Sequence, residues 1–482
     1  MTIEQVVSFS IYVIGAFVLS LGGVLAFGVA MEGETRFRRL MVPALYLLII
    51  VTGCVTVILS GRNVSVAGVD ISSIALPPTL LSKWIPRLAV LTALTVCMAR
   101  VLAALFSREN RSKGGSALFV AFLFFFLTNY VFNSALGMEP EFTHGQYYAL
   151  LFFTAVFASR TQDPETAIRF LKWGLAIFMA ASLVVSHVAP DLAIQRNYSG
   201  WLPGITIRFW GLGLNPNSTG PLALLYLLIA IHQPFERRWS QYLGLSMAIL
   251  VLILTQSKTA WVAAMVAVPL LHLLRSSYAK RSDDTPPVRS SSAMSLTATS
   301  TLSLGVVGVF VLLVLPQLGV SIYGGVGAML GDDVSTLHGR DVIWALAVEE
   351  WARNPLFGYG VTIWDAAYRA QIGMLHAYSA HNQFFQSLSA AGLFGVIGLV
   401  IYLAILSRNA ISARHKTRGL SVALLVFVLA RCVTEAPLEV GAFLIGEFPA
   451  HLLLFHLALV HGNRVTSSRR PASPALSPGR SS

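Results

Sequence analysis

Residues 388–407 read LSAAGLFGVIGLVIYLAILS, twenty consecutive positions without a charged side chain. A hydrocarbon core about 30 Å thick takes roughly 20 apolar residues of helix, because a backbone crossing it must satisfy its own hydrogen bonds. The stretch therefore reads as a membrane-spanning helix. Outward from it, runs of the same kind lie near 7–30, 40–60, 88–106, 116–136, 147–159, 173–189, 218–232, 242–256, 259–274, 300–322, 419–434 and 445–461, the 147–159 and 218–232 runs being short. The expected fold is all-α, a polytopic integral membrane protein of about 12–13 transmembrane helices with one large, partly helical outer loop. The composition agrees: of 482 residues, 55% are hydrophobic and 12% charged, against about 25% charged in an ordinary soluble chain. A string of water-soluble domains is excluded.

The net charge of +12 would raise nucleic acid as a partner in a soluble protein. Here it is first a matter of topology, since cytoplasmic loops accumulate Lys and Arg. The loops at 31–39, 107–115, 160–172, 233–241, 275–299, 408–418 and the tail after 461 hold 23 basic and 8 acidic residues. The alternating set, 61–87, 137–146, 190–217, 257–258, 323–387 and 435–444, with the N-terminus and the outer end of the last span, holds 9 basic and 14 acidic. Arg100 and Arg431, inside spans, complete the basic residues. The first set is expected in the cytoplasm together with the C-terminus. The basic charge is orientation, and no nucleic acid is expected.

Residues 276–299 and 462–482 are rich in Ser, Pro and Arg without an apolar face, and read as disordered cytoplasmic segments. Cys54, Cys97 and Cys432 fall within apolar runs without metal-ligand spacing, and read as buried packing residues. The N-terminus shows no positive region and no cleavage site, so its first run is expected to be retained as a span. No internal repeat is visible, which weakens an analogy to inverted-repeat transporters.

Long loops are where membrane proteins carry function, and two outer ones qualify, 190–217 and 323–387. The second contains GRDVIWALAVEEWARNPLFGYG (339–360) and HAYSAHNQFFQSLSAAGLFG (376–395). Residues 341–353 favour a helix that Pro355 ends. Trp344, Val348 and Trp351 recur as one stripe, suited to a helix on the membrane surface or on top of the bundle, or to plain packing.

From about 205 to 405 the chain resembles the O-antigen ligase and polysaccharide polymerase family of membrane glycosyltransferases (the WaaL, Wzy and ExoQ type). Four pieces carry the resemblance, in the family's order: Arg208-Phe-Trp-Gly211 with Asn215-Pro-Asn217; Gln256-Ser-Lys-Thr259 before a span; Gly339-Arg340 leading to Asn354-Pro-Leu-Phe-Gly358-Tyr-Gly360; and His381-Asn382 followed by Gly392-Leu-Phe-Gly395. The Ser-Lys-Thr sequence and the PLFGYG stretch running to Trp364 look more like the exopolysaccharide polymerases than the lipid A ligases.

The resemblance implies an undecaprenyl-diphosphate-linked glycan donor and, as acceptor, a second glycan, either lipid-linked or on lipid A core. It implies a bacterial inner membrane, membrane lipid as surroundings, arginines and a histidine as the working groups, and no metal or cofactor. A chain-length regulator is a further partner it allows. The chain then divides into N-terminal transmembrane helices (1–189), a periplasmic loop (190–217), transmembrane helices (218–274), a cytoplasmic linker (275–299), a transmembrane helix (300–322), a large periplasmic catalytic loop (323–387), C-terminal transmembrane helices (388–461) and a cytoplasmic tail (462–482).

Residue chemistry fits that activity. Departure of a sugar from a lipid diphosphate develops negative charge on phosphate oxygens, and the arginine fork engages such oxygens bidentately. Arg208 and Arg340 are the outer-side candidates, with Lys258 a third positive group. The outer loops hold no Asp-x-Asp or carboxylate–histidine cluster, Asp332-Asp333 being an isolated pair. His381 suits proton removal from a sugar hydroxyl, in the pH range where imidazole titrates. Asn382 would bind a sugar hydroxyl or fix the loop, Asn217 belongs to the motif beside Arg208, and Glu435, near the outer end of its span, would touch glycan.

Each of these has a plainer reading. Arg208 would answer lipid headgroups, Arg340 would pair with Asp341 or Glu350, and Lys258 would snorkel to the interface. His144, His338 and His376 share the outer side with His381, which the His-Asn motif alone singles out. Arg431 lies four residues before Glu435, the spacing of a helical ion pair, and Arg100 would reach the cytoplasmic interface. The glycines at 358, 360, 392 and 395 would shape turns and close packing. A transporter or flippase for a lipid-linked substrate is the alternative from another class. It predicts polar, broken helices at mid-membrane, whereas the polar clusters here lie in the outer loops.

Overall fold

A computed structural model describes residues 22, 35–65, 80–106, 115–198, 202, 204–282, 335–375, 377–440 and 446–460. Within them, eleven of the thirteen expected spans are helical. The 7–30 run (apart from Gly22), the 300–322 run, residues 323–334 of the large loop, residues 283–299 of the linker and the tail 462–482 lie outside the described residues. Among the described residues, six helices are long and apolar enough to cross a membrane: Arg39–Ser60, Ser82–Leu105, Ser116–Leu136, Glu165–Val188, Lys258–Ser276 and Gln383–Ser412. Shorter apolar helices at Gly145–Ala158, Arg238–Leu254, Leu420–Thr434 and Phe448–Leu459 accompany them. Two of the short helices are enclosed: every residue of Phe448–Leu459 is buried, and nearly all of Pro216–His232. Apart from a two-residue antiparallel ribbon pairing Ile194 with Phe209 and Gln195 with Arg208, the described residues are helices and their connections. The chain is an all-α polytopic membrane protein.

The core is aromatic at its centre, where Phe122, Phe125, Phe153, Tyr402 and Phe455 meet as stacked and edge-on rings. Cys54 and Cys97 are buried among these helices and Cys432 is half-buried, all three as free thiols. Arg100 does not simply reach an interface. It is buried and donates from Nε to Ser159 Oγ and from Nη2 to the Ala158 carbonyl, each at 2.6 Å. The last carbonyls of a helix lack partners within it, and Arg100 supplies one to the end of the His144–Ala158 helix.

The helix of the large loop runs Ser335–Arg353 and stops where Pro355 requires. It does not bury the Trp344, Val348, Trp351 stripe. Ile343, Trp344, Ala347 and Glu350 face inward, while Val348 is 41% exposed. The buried face is turned by about one residue from that stripe and keeps Trp344, whose ring stacks on Phe385 and whose Nε1 donates to the Ala380 carbonyl at 2.7 Å. The helix thus packs on the start of the Gln383–Ser412 helix, with Tyr359, Ile363, Trp364, Tyr368 and Ala377 completing a small core of its own.

Gly392 anchors this loop to the membrane bundle. It breaks the Gln383–Ser412 helix with φ 61, a left-handed conformation that costs a side chain. The amides the break frees are taken by the loop: Leu393 N donates to Pro355 O at 2.8 Å and Phe394 N to Leu356 O at 3.2 Å. In return Tyr359 N donates to Ser389 O and Gly360 N to Ala390 O. A Cβ on Gly392 would come 2.5 Å from the Leu356 carbonyl carbon, and one on Gly358 (φ 70) would come 2.6 Å from Ala390. The NPLFGYG and GLFG pieces are therefore two halves of one joint. Gly392→Ala is expected to cost about 2–5 kcal/mol, from the left-handed backbone and the overlap together. A lowered Tm in detergent, with proteolysis appearing within 355–380, would show the joint released.

Candidate functional site

Three chain segments at one end of the bundle enter the site through local geometry their sequences dictate. Asn215 caps the Pro216–His232 helix, its side chain accepting from Ser218 N, with Pro216 in the first turn where a missing amide costs nothing. Asn382 caps the Gln383–Ser412 helix in the same way, accepting from Phe384 N and Phe385 N. The Leu420–Thr434 helix ends at Glu435, whose backbone is fully extended. These termini place Asn217, His381 and Glu435 side by side.

Glu435 is the hub. Its Oε2 lies 2.8 Å from His381 Nδ1, its Oε1 accepts from Asn217 Nδ2 at 3.2 Å, and Arg340 Nη2 approaches Oε1 at 3.6 Å. Asn217 passes the contact on, its Oδ1 accepting from Arg208 Nη2 at 3.2 Å. Arg340 is also tied to the Thr434 carbonyl at 3.1 Å. Arg208 is held by the Thr255 carbonyl at 3.1 Å and lies over the Tyr198 ring, 4.7 Å from its centroid. Arg208, Asn217, Glu435, Arg340 and His381, spread over more than two hundred residues of chain, are thus one connected polar group.

Asn382 stands beside the group with its side chain committed to the loop, since Nδ2 also donates to the Val433 carbonyl at 3.0 Å. Lys258 opens the Lys258–Ser282 helix in the turn that also supplies Thr255 and Thr259. The side chains of His144, His338 and His376 lie outside the described residues.

Two of the plainer pairings are replaced. Arg340 pairs with neither Asp341 nor Glu350: Asp341 accepts from Val342 N, and Glu350 accepts from Arg353 and from the Tyr368 hydroxyl. Arg431 does not pair with Glu435. Glu435 has left the helix, so the four-residue spacing no longer puts the two on one face. Arg431, 1% exposed, is bonded to Glu447, Thr259 Oγ1 and the Asn217 carbonyl instead. It joins the starts of three helices directly behind the site.

Burial disfavours the charged forms of Arg208 and Arg340, and the Glu435 carboxylate works against that in both. For Glu435 itself, burial pushes the carboxyl upward. The hydrogen bond and charge of His381, with Arg431 and Arg340, outweigh it and hold the group down at about 2. His381 and the two arginines together favour the ionised form of Glu435.

Sequence reasoning missed the groups that hold this arrangement. Arg62 is 6% exposed and donates to the carbonyls of Leu192, Gly211, Gly213 and Leu214 at 2.7–3.2 Å. It folds the 190–217 loop around itself, with Arg208 on that loop's ribbon. Burial lowers its guanidinium to about 10. Gln256 adopts φ 50 and donates to the Ile207 carbonyl at 2.8 Å, fixing the residue before Arg208. The signal for Arg62 was faint: one basic residue just past a span in the acid-rich outer set.

A separate cleft of about 330 Å³ lies between residues 139–141 and the large loop, lined by Glu139, Glu141, Tyr359, Asp365, Tyr368 and Gln371 among others. Its sign is wrong for phosphate, and none of the residues around Glu435 lines it. Among the described residues, no group of three His, Cys, Asp or Glu side chains is placed to hold a metal ion.

The arrangement combines a base-capable imidazole with two arginine forks on one anionic anchor, the equipment for moving a proton beside a departing phosphate. Comparison with known proteins returned no match among curated proteins. A family model described as O-antigen ligase matches residues 243–400, a span that contains Lys258, Arg340, His381 and Asn382. Over that third of the chain the sequence is similar to the O-antigen ligase family.

Proposed function

We propose that the protein is a bacterial inner-membrane polysaccharide polymerase that transfers a glycan from an undecaprenyl-diphosphate-linked donor to a second glycan at the periplasmic face. The observation that carries the reading is the single carboxylate, Glu435, gathering His381, Arg340 and, through Asn217, Arg208. The charge asymmetry of the loops, 23 basic and 8 acidic residues against 9 and 14, supports an outward-facing site and a cytoplasmic C-terminus.

In the reaction, an acceptor hydroxyl oxygen attacks the anomeric carbon of the donor sugar as its proton passes to His381. The bond from that carbon to the diphosphate oxygen breaks, and the electron pair leaves with the lipid diphosphate. Arg208 and Arg340 meet the charge that develops there. Attack opposite the leaving group inverts the anomeric centre. A proton leaves His381 for solvent, which restores the base. No step draws on a metal, so transfer is expected to persist in a chelator.

Transfer to lipid A core is the second reading. Transport is disfavoured because the polar group lies at helix ends and not in mid-span. Removal of the chain from its host separates the readings. Loss of long chains with accumulation of single lipid-linked repeats supports a polymerase. Long lipid-linked chains missing only from lipid A core would point to the ligase. Unaltered polymer would refute both.

A further inference from the structure

We propose that Glu435 is a positioning residue in a glutamate–histidine pair, holding His381 with Nδ1 protonated so that Nε2 is the basic atom turned to the acceptor. The inference rests on the reading of the site given above. It assigns Glu435 to the base and not to the glycan.

The argument is one of donors and acceptors. An ionised carboxylate only accepts hydrogen bonds. Glu435 Oε2 stands 2.8 Å from His381 Nδ1, so the proton between them belongs to Nδ1. In a neutral ring the lone pair then sits on Nε2. The carboxylate has little left for substrate, since Oε1 is shared by Asn217 and Arg340.

The histidine backbone is built for this pose. His381 adopts φ 47, a left-handed conformation that persists only when its surroundings over-determine it. Those surroundings are explicit. Trp344 Nε1 donates to Ala380 O, Ala380 N donates to Gln386 Oε1, and the Asn382 cap follows directly.

The same carboxylate also carries Arg340 and the Asn217–Arg208 arm, so base and diphosphate clamp share one anchor. The charged groups around the pair are Arg340 from the loop helix, Arg431 from the helix ending at Glu435, Arg208 through Asn217, and Glu447 beyond Arg431.

The test is the reactivity of His381 toward diethyl pyrocarbonate, read peptide by peptide by mass spectrometry in the purified full-length protein across pH. In Glu435→Gln, a protonated ring loses its neighbouring anion, so the reactivity profile should move to lower pH. Turnover should drop about ten- to a hundredfold, against the ~10⁴-fold seen when a protease's histidine loses its orienting carboxylate. A profile identical to wild type overturns the proposal. Nitrogen-15 spectra of histidine-labelled wild-type protein, with His381→Gln to assign the signal, supply a second reading that needs no Glu435 variant. A neutral ring protonated on Nδ1 is expected, and one protonated on Nε2 overturns the assignment. Either contrary result with His381→Ala still inactive removes Glu435 alone, whereas an active His381→Ala removes the reading of the whole site.

Discussion

His381→Ala, accumulated to the wild-type level, should leave long polymer undetectable while lipid-linked repeats build up in the membrane. A positioned general base contributes about 10²–10⁴-fold to a rate, enough to take chain growth below detection. The substitution also spares the fold. His381 is tied into the bundle by its backbone and its neighbours Ala380 and Asn382, none of which needs the imidazole. Protein that is monodisperse, binds donor and does not extend it is the expected phenotype. Polymer of normal length and yield would mean that the base lies elsewhere.

Arg340→Lys and Arg208→Lys should each lower turnover strongly while keeping the charge. Lysine brings one ammonium where arginine brings a planar fork, so bidentate contact with phosphate oxygens is lost. A hydrogen bond to a charged group contributes about 1.5–3 kcal/mol, and each 1.4 kcal/mol is a factor of about ten. The expected loss is therefore about 10- to 100-fold per arginine, in kcat more than in KM, because the charge develops as the bond breaks. Arg208 has a further contact to lose, the Tyr198 ring at 4.7 Å. Steady-state rates on donor extracted from cells that lack the chain measure both. Unchanged kcat in both variants would return the arginines to the plainer role of answering headgroups or holding the loop.

The spans were legible because burial in lipid needs only apolar length, which is a local property. Residues 388–407 were enough to set the class, and the described helix at Gln383–Ser412 contains them. Helix ends were less legible, since a helix enclosed by others, such as Phe448–Leu459, need not match the membrane thickness. The candidate residues were picked out by type. Arginine, histidine and asparagine in the outer loops read as phosphate and hydroxyl chemistry before any contact was known.

The partners were not legible, and the reason is distance along the chain. Glu435 lies 54 residues from His381 and 218 from Asn217, so helical spacing could not find either pair. Spacing instead offered Arg431, which the extended backbone at Glu435 turns away. The stripe on the loop helix failed similarly: its inward face, Ile343, Trp344 and Ala347, packs in a small core with residues 359–380 that lie farther along the chain. The glycines of the two motifs were read as turn formers, but that they form a single joint at Gly392 emerged only from the paired backbone contacts.

The central claim is that the group around Glu435 forms a glycosidic bond. Purified protein in liposomes, supplied with lipid-diphosphate-linked glycan and sampled by mass spectrometry, addresses it most directly. Wild-type protein should yield elongated glycan and free lipid diphosphate in equal amounts, and His381→Ala neither. Donor that crosses the bilayer without any new bond, or elongation by His381→Ala at the wild-type rate, would contradict the account.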